Sequence, residues 1–441
     1  MNAWQKDYSE LCHHWRKALE LALTGPTRKL TGERYSFSRR QWTVPSNLKN
    51  QRNSVGEMLR AWVLLCACVL AHLLTRGDSL LQVPPQISVD LSAAPRDRYR
   101  GAVRAVLERH SWEHSFGVAF SSHNLTLFDN LDTQMYELLT NATEQHHPEV
   151  FAELQGISDE FSAAGHIVSV HYLVAWLWFH ELAHTELSTA TTEEQRECTA
   201  AVVQDQHGNI LHGRNMDQSP TAVRNATVQF EFFKDSSTSL GVHAVDWYWF
   251  AGGFMTAVKK GVGSVQENWR FVNASSAEVF EAALNGVTPQ LLAFKYALLG
   301  TAQKPAAMSF VDLTRQLCHM ELAAADYVVM GGCHEYEATI CARGAGSKLA
   351  WSLSMVNVNS SRSASWPYLL QTNYDECIHD PATDPRCSSA TAIMESLGQT
   401  IGADSIGLMA TMTSTPIRNA DTAYTAIMSA EEGTLVSFAW D

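Results

Sequence analysis

The sequence has little of three things: long apolar runs, cysteine and positive charge. A nearly unbroken apolar run covers residues 61–74, but its fourteen residues fall short of the about 20 that a membrane-spanning helix needs. Nine cysteines in 441 residues are too few for a small scaffold held together by disulfides. Lys and Arg number 32 against 46 Asp and Glu, and the net charge of −14 argues against a nucleic-acid partner.

Several catalytic and cofactor motifs are also missing. The sequence has no G-x-S-x-G serine-hydrolase elbow and no phosphate-binding P-loop, and Cys333 and Cys341 lack zinc-ribbon spacing. We therefore expect neither a cofactor nor a metal. A hydrophobic content of 46% with 18% charged residues excludes a wholly disordered chain and indicates a globular one.

Charge divides the chain at the apolar run. Residues 1–57 hold ten Lys or Arg and five Asp or Glu, whereas residues 78–441 hold 20 and 41. The run has the length of a secretory signal, with Met58 and Arg60 just before it. We interpret 1–57 as a basic extension outside the folded, functional part of the chain and 58–77 as a signal peptide or signal anchor. Translation could start at Met58, and a buried core helix is the remaining alternative.

Candidate N-glycosylation sites occur only after the apolar run, at Asn124, Asn141, Asn225, Asn273 and Asn359. Their placement predicts that the C-terminal part lies in the lumen of the secretory pathway. The acidic excess of 78–441 suits an acidic compartment such as the lysosome, because carboxylates approach neutrality as the pH falls. Secretion from the cell is the alternative.

Hydrophobic periodicity predicts helices over 125–197, after an irregular segment over 78–110. Strands begin at Cys198 with a hairpin, 198–205 and 209–216, around a Gln206-His207-Gly208 turn. Later segments are predicted as helices at 275–284, 289–299, 309–325 and 388–397, and as extended runs at 407–413 and 424–438. Strands and helices without regular βαβ alternation predict an α+β layered fold.

An H-E-x-x-H match lies in a strongly apolar helical segment, with His180, Glu181 and His184. On a helix this spacing places two imidazoles one turn apart for zinc, with the glutamate as general base of a metallopeptidase. No third ligand follows at the spacing of the extended motif. A buried helix whose end faces a polar loop explains the same residues.

A second constellation starts at Cys198, which opens a strand. Arg214 and Asp217 follow it within H-G-R-N-M-D, and the hairpin would fold both back beside Cys198. A guanidinium lowers the pKa of a neighbouring thiol and makes it a better nucleophile. A buried structural cysteine beside an exposed turn is the alternative.

Residues 198–217, CTAAVVQDQHGNILHGRNMD, resemble the start of the catalytic chain in the family of acid ceramidase and N-acylethanolamine acid amidase. This family belongs with the choloylglycine hydrolases among the N-terminal nucleophile hydrolases. Q-T-N-Y-D at 371–375 and D-x-R at 384–386 match further family motifs in the same order. The likeness extends over residues 145–441.

The resemblance implies an α+β fold, the four-layer αββα sandwich of these hydrolases. A mainly helical prodomain or α-subunit would cover 78–197, and a catalytic β-subunit would cover 198–441. Self-cleavage between Glu197 and Cys198 would leave an α/β heterodimer. The new α-amine, with an ordinary pKa of about 7.7–8.0, would then serve as general base for the Cys198 thiol.

The resemblance also implies a role for the other motif residues. Asp217 would orient the amine, Arg214 would stabilise the thiolate, and Asn373 would donate to the oxyanion of the tetrahedral intermediate. Arg386 would anchor the group electrostatically. Without the resemblance, Asn373 is interpreted as a turn residue and Arg386 as an ordinary surface arginine.

The sequence departs from the family pattern at Trp269, which stands where the family has a glutamate. Glu267 is a candidate replacement, but strand alternation is expected to turn it to the other face. Glu267 and Asn268 remain candidate substrate-binding residues. A catalytically inactive lumenal member of the family, with a binding role, is therefore an alternative to an enzyme.

The resemblance implies an N-acyl lipid substrate, either a ceramide or an N-acylethanolamine, and contact with a lipid or membrane surface. A fatty acyl chain needs an apolar slot, for which Trp247, Trp249 and Phe250 are candidates. Buried sheet core explains these aromatics equally well, whereas a slot would leave some of them facing solvent or membrane. Cys377 and Cys387 flank the Asn373 loop and could form a disulfide.

Overall fold

A computed structural model of the chain describes residues 81–122, 125–187, 198–218, 221–247, 249–250, 253–272, 274–301, 303–346, 348–357, 366–377 and 384–440. The predictions for residues 1–77, Glu197, Asn124, Asn273 and Asn359 concern residues outside these ranges. The described residues belong to one compact unit, Arg60–Asp441. Among them, no helix has both the length and the apolar character needed to cross a membrane.

The described strands form two sheets. They are β1 (Leu81–Gln82), β2 (Gln86–Asp90), β3 (Thr199–Gln204), β4 (Ile210–Asp217), β5 (Val228–Asp235), β6 (Thr238–Asp246), β7 (Thr256–Lys259), β8 (Gly263–Trp269), β9 (Asp326–Gly331), β10 (Ala338–Arg343), β11 (Leu349–Ser354), β12 (Tyr368–Gln371), β13 (Thr422–Ser429) and β14 (Thr434–Trp440). The first sheet has the order β1-β14-β13-β4-β3-β12, and the second β11-β10-β9-β8-β7-β6-β5-β2. Neighbours are antiparallel except for β2 and β5, which are parallel.

The described α-helices fall into two groups, one on each side of Cys198. Upstream are α1 (Arg100–Arg109), α2 (Phe116–Ser122), α3 (Leu125–Asp129), α4 (Thr133–His146), α5 (Pro148–Ala163), α6 (Val170–Leu177) and α7 (Phe179–Ala183). Downstream are α8 (Ser276–Leu284), α9 (Gln290–Leu299), α10 (Phe310–His319), α11 (Arg386–Gly402) and α12 (Ser405–Thr413).

Strand β3 shows how the layers stack. Ala200 and Val202 belong to a hydrophobic cluster shared with the second sheet, whereas Ala201 and Val203 pack under α11 and α12. This period-two alternation buries both faces of the strand. On the far side, α9 packs on β6 and β7 and α10 packs on β9 and β10. The predicted α+β sandwich, with two sheets between helical layers, is confirmed.

Two local predictions are wrong. Residues 78–110 were expected to be irregular but include β1, β2 and α1, which pair or pack with segments far along the chain. Residues 407–413 were expected to be extended but lie in α12, where Oδ1 of Asp404 accepts the Gly407 amide at 2.6 Å and caps the helix. The predicted Cys377–Cys387 disulfide is present, and a second one joins Cys318 and Cys341.

Two of the predicted glycosylation acceptors lie in the described ranges. Asn141 is exposed on α4. Asn225 is half-buried, and its Nδ2 donates to the carbonyl oxygen of His114 at 2.7 Å. Asn141 is therefore the more accessible of these two side chains.

Candidate active site

Cys198 immediately precedes β3 and is 1% exposed. Its φ of 57° lies in the left-handed region, which is uncommon for a residue with a Cβ. Its Sγ lies 3.2 Å from Nη2 of Arg214, 3.2 Å from Sδ of Met216 and 4.0 Å from Oε1 of Glu267. In the described part of the chain, the thiol thus lies beside a guanidinium, a thioether and a carboxyl group.

The predicted β3–β4 hairpin brings Arg214 to this thiol. The chain turns at Gly208, where φ is 85° and a glycine is favoured. The register then sets Arg214 opposite Ala200, two residues into β3 from Cys198. Strand pairing therefore converts a separation of 16 residues into a side-chain contact.

Arg214 is fully buried and carries a fixed positive charge. Its Nη2 donates to Oε1 of Glu267 at 2.7 Å, and its Nη1 donates to the Met255 carbonyl. Burial lowers the pKa of Arg214, but its electrostatic interactions with Cys198, Tyr424 and Glu267 and its hydrogen bond to Glu267 outweigh this effect and raise the pKa above its ordinary value. A guanidinium beside the sulfur favours the thiolate form.

Arg386, at the start of α11, joins residues from several motifs. Its Nη1 donates to the carbonyl oxygen of Cys198 at 3.0 Å and to Oδ2 of Asp217 at 3.1 Å. Its Nη2 donates to Oδ1 of Asn373 at 2.8 Å, and Asp384 accepts from Nε and Nη2 at 2.7 and 2.6 Å. Burial lowers the pKa of Arg386, but the hydrogen bond and charge of Asp384 and the charge of Asp217 raise it overall.

Asp217 ends β4 and is fully buried. Its carboxylate accepts from Thr422 Oγ1 at 2.6 Å and from Asn419 Nδ2 at 2.9 Å, besides Arg386. Burial raises the pKa of Asp217, and these three donors, led by Arg386, oppose that shift. No local motif in the sequence marks Thr422, the first residue of β13, or Asn419 in the segment before it, and both lie about 200 residues from Asp217.

Asn373 follows β12 and uses both ends of its amide. Its Nδ2 donates to the carbonyl oxygen of Trp269 at 2.9 Å, while its Oδ1 accepts from Arg386. The amide expected to face an oxyanion is therefore held by a backbone carbonyl. The structure brings together all five predicted catalytic residues, namely Cys198, Arg214, Asp217, Asn373 and Arg386.

The expectation that Glu267 turns away from the site is wrong. Residues two apart on a strand share a face, so Glu267 lies on the same side of β8 as Trp269 and reaches Arg214. Asn268 points to the other side, where its Nδ2 donates to the Gln371 carbonyl at 2.9 Å and its Oδ1 accepts from Gln266 at 2.6 Å. A carboxylate is thus present beside Arg214 although Trp269 occupies the family position.

The candidate acyl slot is closed. Trp247, Trp249 and Phe250 are at most 1% exposed, so none of them faces solvent. Trp249 packs on Trp176 and Phe120 from the upstream helices, with ring centroids 4.4 and 4.7 Å apart. In this uncut chain the aromatics form core between the upstream helices and the second sheet.

The ring centroids of His180 and His184 lie 5.0 Å apart, but no group of three possible metal ligands within 4.8 Å among the described residues includes both. The helix ends at Ala183, and the ring of His184 stacks on Trp269 with centroids 4.0 Å apart. Glu181 Oε1 accepts the Gln290 amide at 2.6 Å, so this carboxylate caps the start of α9. His180 instead points toward Glu267 and Asp326.

No protein-family model matches the chain. A curated relative, the N-acylethanolamine-hydrolyzing acid amidase of Cavia porcellus, is 25% identical over 371 residues, covering 80% of this chain and 89% of that protein. Acid ceramidase of Homo sapiens is 24% identical over 262 residues, covering 55% of this chain and 62% of its own length. The chain is a relative of the acid ceramidases and N-acylethanolamine acid amidases.

A solved structure of the Caenorhabditis elegans N-acylethanolamine acid amidase orthologue also matches. It is 21% identical, with a TM-score of 0.43, over 53% of this chain and 93% of that one. The match to the Cavia porcellus acid amidase extends over most of both chains, whereas the human acid ceramidase is matched over less than two thirds of its length.

Proposed function

We propose that the chain is a cysteine amidohydrolase of the N-terminal nucleophile type, which cuts itself before Cys198 and then hydrolyses the amide bond of N-acyl lipids. The observation that carries the proposal is the charged Arg214 at 3.2 Å from the Cys198 sulfur, with Arg386 bound to the carbonyl of the same residue. The names of its relatives, acid ceramidase and N-acylethanolamine-hydrolyzing acid amidase, support this substrate class.

Self-cleavage would use the thiol in place of an external nucleophile. The Sγ of Cys198 attacks the carbonyl carbon of Glu197, the C–N bond to Cys198 breaks, and the amide nitrogen takes the thiol proton. Water then hydrolyses the thioester and restores the thiol. Arg214 would stabilise the thiolate, while Arg386 holds the Cys198 carbonyl and so fixes the attacking residue.

Turnover would use the α-amine released by this cut. The amine takes the thiol proton as Sγ attacks the substrate carbonyl, and returns it to the leaving amine. Water hydrolyses the acyl-enzyme and yields a fatty acid. Asp217, fixed by Thr422, Asn419 and Arg386, would orient the amine, and Asn373 would turn its Nδ2 from Trp269 to the oxyanion.

The uncut chain supports a precursor that waits for cleavage. Cys198 is buried, and upstream aromatics cover Trp249. We infer that cleavage frees the α-subunit end to move and opens an acyl slot at these aromatics, next to a lipid surface. The two pieces would stay together, since β2 pairs with β5 and Lys295 of α9 bonds Glu153 of α5 at 2.6 Å. The acidic lumen of the lysosome remains the proposed location.

Cleavage is tested by comparing the full chain with Cys198→Ala. Both proteins are purified from a secretory host, incubated at mildly acid pH and measured by intact mass. We expect wild type to give two fragments split between residues 197 and 198, and Cys198→Ala to stay whole. Cys333→Ala, which removes the other buried free thiol of the described part, is the matched control and should cleave like wild type.

Fragments from Cys198→Ala at the same position, or an uncut wild type that hydrolyses N-acyl lipids, would contradict the proposal. Ceramide and N-acylethanolamine with the same acyl chain are then compared as substrates of the cleaved protein. Release of free fatty acid from either supports the lipid amidase. A cleaved protein that releases none from both would favour the inactive binding protein.

A further inference from the structure

A second buried cluster lies directly behind the catalytic arginine. His180 of α7 places its Nε2 3.9 Å from Oε2 of Glu267 and 3.8 Å from Oδ1 of Asp326. The three ligating atoms all lie within 4.8 Å of one another. The side chains come from three elements, α7, β8 and β9, and are 5%, 3% and 0% exposed.

Within the described residues the cluster is incomplete in hydrogen bonds. Neither Nδ1 nor Nε2 of His180 has a hydrogen-bond partner there, and Oδ2 of Asp326 has none. A buried polar atom without a partner costs about 1–3 kcal/mol, so native proteins rarely keep several in one place. These atoms point to a ligand that the protein chain itself does not supply.

Charge in the cluster points to a cation. Two carboxyl groups are buried side by side, and Arg214 donates to the other oxygen of Glu267. Oε2 of Glu267 and Oδ1 of Asp326 therefore share a space with the imidazole of His180, whose Nε2 lies 3.9 and 3.8 Å from them. Buried charges in proteins are normally paired or bound to a metal.

We propose that His180, Glu267 and Asp326 bind one zinc ion. Imidazole nitrogen with carboxylate oxygens suits zinc, whereas calcium and magnesium prefer oxygen ligands alone. Zinc bonds to these atoms are about 2.0–2.2 Å long, which sets ligand atoms about 3.3–3.6 Å apart. The separations of 3.8 and 3.9 Å from Nε2 need side-chain shifts of a few tenths of an ångström, and the two carboxyl oxygens, which lie within 4.8 Å of each other, need up to about 1 Å. A water would complete the tetrahedron.

This site differs from the one that the H-E-x-x-H spacing suggests. His184 is stacked on Trp269 and Glu181 is bound to the Gln290 amide, and neither belongs to the described group of ligand atoms within 4.8 Å of one another, so only the first histidine of the motif takes part. The ion would tie a histidine upstream of Cys198 to two strands downstream of it. It would also fix Glu267, whose other oxygen holds Arg214 against the thiol.

The test measures zinc in the full chain. Wild type is equilibrated with zinc, dialysed against metal-free buffer and analysed by inductively coupled plasma mass spectrometry, and we expect one zinc per chain. His180→Gln and Asp326→Asn should weaken zinc affinity more than about 100-fold, since even outer-sphere partners contribute about 10–100-fold. His184→Gln is the matched control and should keep the zinc.

A wild type that retains no more zinc than His180→Gln would overturn the proposal, as would equal zinc loss in His184→Gln. If the ligand variants fail to fold, X-ray absorption of zinc-loaded wild type decides instead. A shell of nitrogen and oxygen supports the site, whereas a sulfur neighbour assigns the ion to a cysteine. Zinc retained by uncut Cys198→Ala would separate this proposal from the fate of the amidase.

Discussion

Arg386 is the residue through which the separate catalytic motifs meet. Its guanidinium bonds Cys198, Asp217, Asn373 and Asp384, and each bond uses a different direction of the planar fork. The D-x-R spacing itself supplies one partner, because Asp384 lies two residues away and accepts two bonds. A single point charge cannot reproduce this set of contacts.

We therefore expect Arg386→Lys to lower kcat of the amidase by about 100-fold, comparable to the loss of one oxyanion donor. The lysine keeps the charge near Asp217 but loses the fork that fixes Cys198 and Asn373 together. KM should change little, since no substrate contact is removed. The rates of fatty acid release and of self-cleavage provide the measurement. Arg315→Lys, at an exposed position of α10, is the control, and an Arg386→Lys enzyme with wild-type kcat would contradict the assigned position.

The sequence revealed this part of the site because its residues lie in contiguous motifs. H-G-R-N-M-D, Q-T-N-Y-D and D-x-R each carry several family positions within a few residues. Asp326 and Asn419 were invisible, since each reaches the site through strand pairing or a long loop and stands in no motif. The position of Glu267 follows from period-two geometry, because residues two apart on a strand share a face. The sequence therefore contained the signal that places Glu267 on the same side as Trp269, and the expectation that it turns away applied this rule wrongly.

At the scale of elements, α5 packs against the turn at Pro95–Asp97 through a glycine. A Cβ built on Gly156 would stand 1.7 Å from the carbonyl oxygen of Arg96. The contact also lies beside the ion pairs that join Arg98 to Glu153 and Arg100 to Glu160. Close approach of the helix to this turn thus depends on the missing side chain.

Gly156→Ala should lower the free energy of unfolding by about 1–3 kcal/mol, the range typical of overpacking. Alanine in an open helical position has the opposite effect, a gain of up to about 1 kcal/mol. Gly101→Ala in α1 is the matched control, because an added Cβ there meets nothing within 4 Å. Urea denaturation of both variants in a Cys198→Ala background measures the change in unfolding free energy, which should be a decrease for Gly156→Ala and no decrease for Gly101→Ala. If Gly156→Ala were instead more stable than its parent, the turn at Pro95–Asp97 would have moved to make room for the methyl group, and the prediction would be wrong.

Helices and strands were predictable where their signals are local. The hairpin after Cys198 follows from alternation around Gly208, and the structure has it. The run at 407–413, GLMATMT, is mostly apolar, and such a run does not distinguish a strand from a buried helix. The Asp404 carboxylate caps the first turn of the helix and so favours the helix over a strand. Strand β2 was missed because its partner, β5, begins some 140 residues later, at Val228.

At the scale of the whole molecule, the acidic composition and the buried histidines act in opposite directions at low pH. Carboxylates lose charge as the pH falls, so repulsion across the acidic chain decreases. Burial lowers the pKa of His147 to about 4 and that of His212 to about 3. These two side chains stay neutral in the folded protein at a pH where the unfolded chain binds protons on both.

The stability that the folded protein loses at low pH, because its buried histidines stay neutral, can be measured at His212. Its pKa is about 3 in the folded protein, because burial removes water and Arg214 repels a second charge. Between an unfolded pKa of about 6.5 and the folded value, the unfolded state binds more protons, so stability falls as the pH falls. When the pH falls from 7 to about 4.5, the unfolding free energy should therefore fall by about 2–3 kcal/mol less in His212→Gln than in its parent.

Urea denaturation at both pH values, in the uncut Cys198→Ala background, measures the two decreases. His319→Gln, at an exposed position, is the control. Equal losses in His212→Gln and its parent would mean that His212 is protonated, or reaches water, in the folded chain.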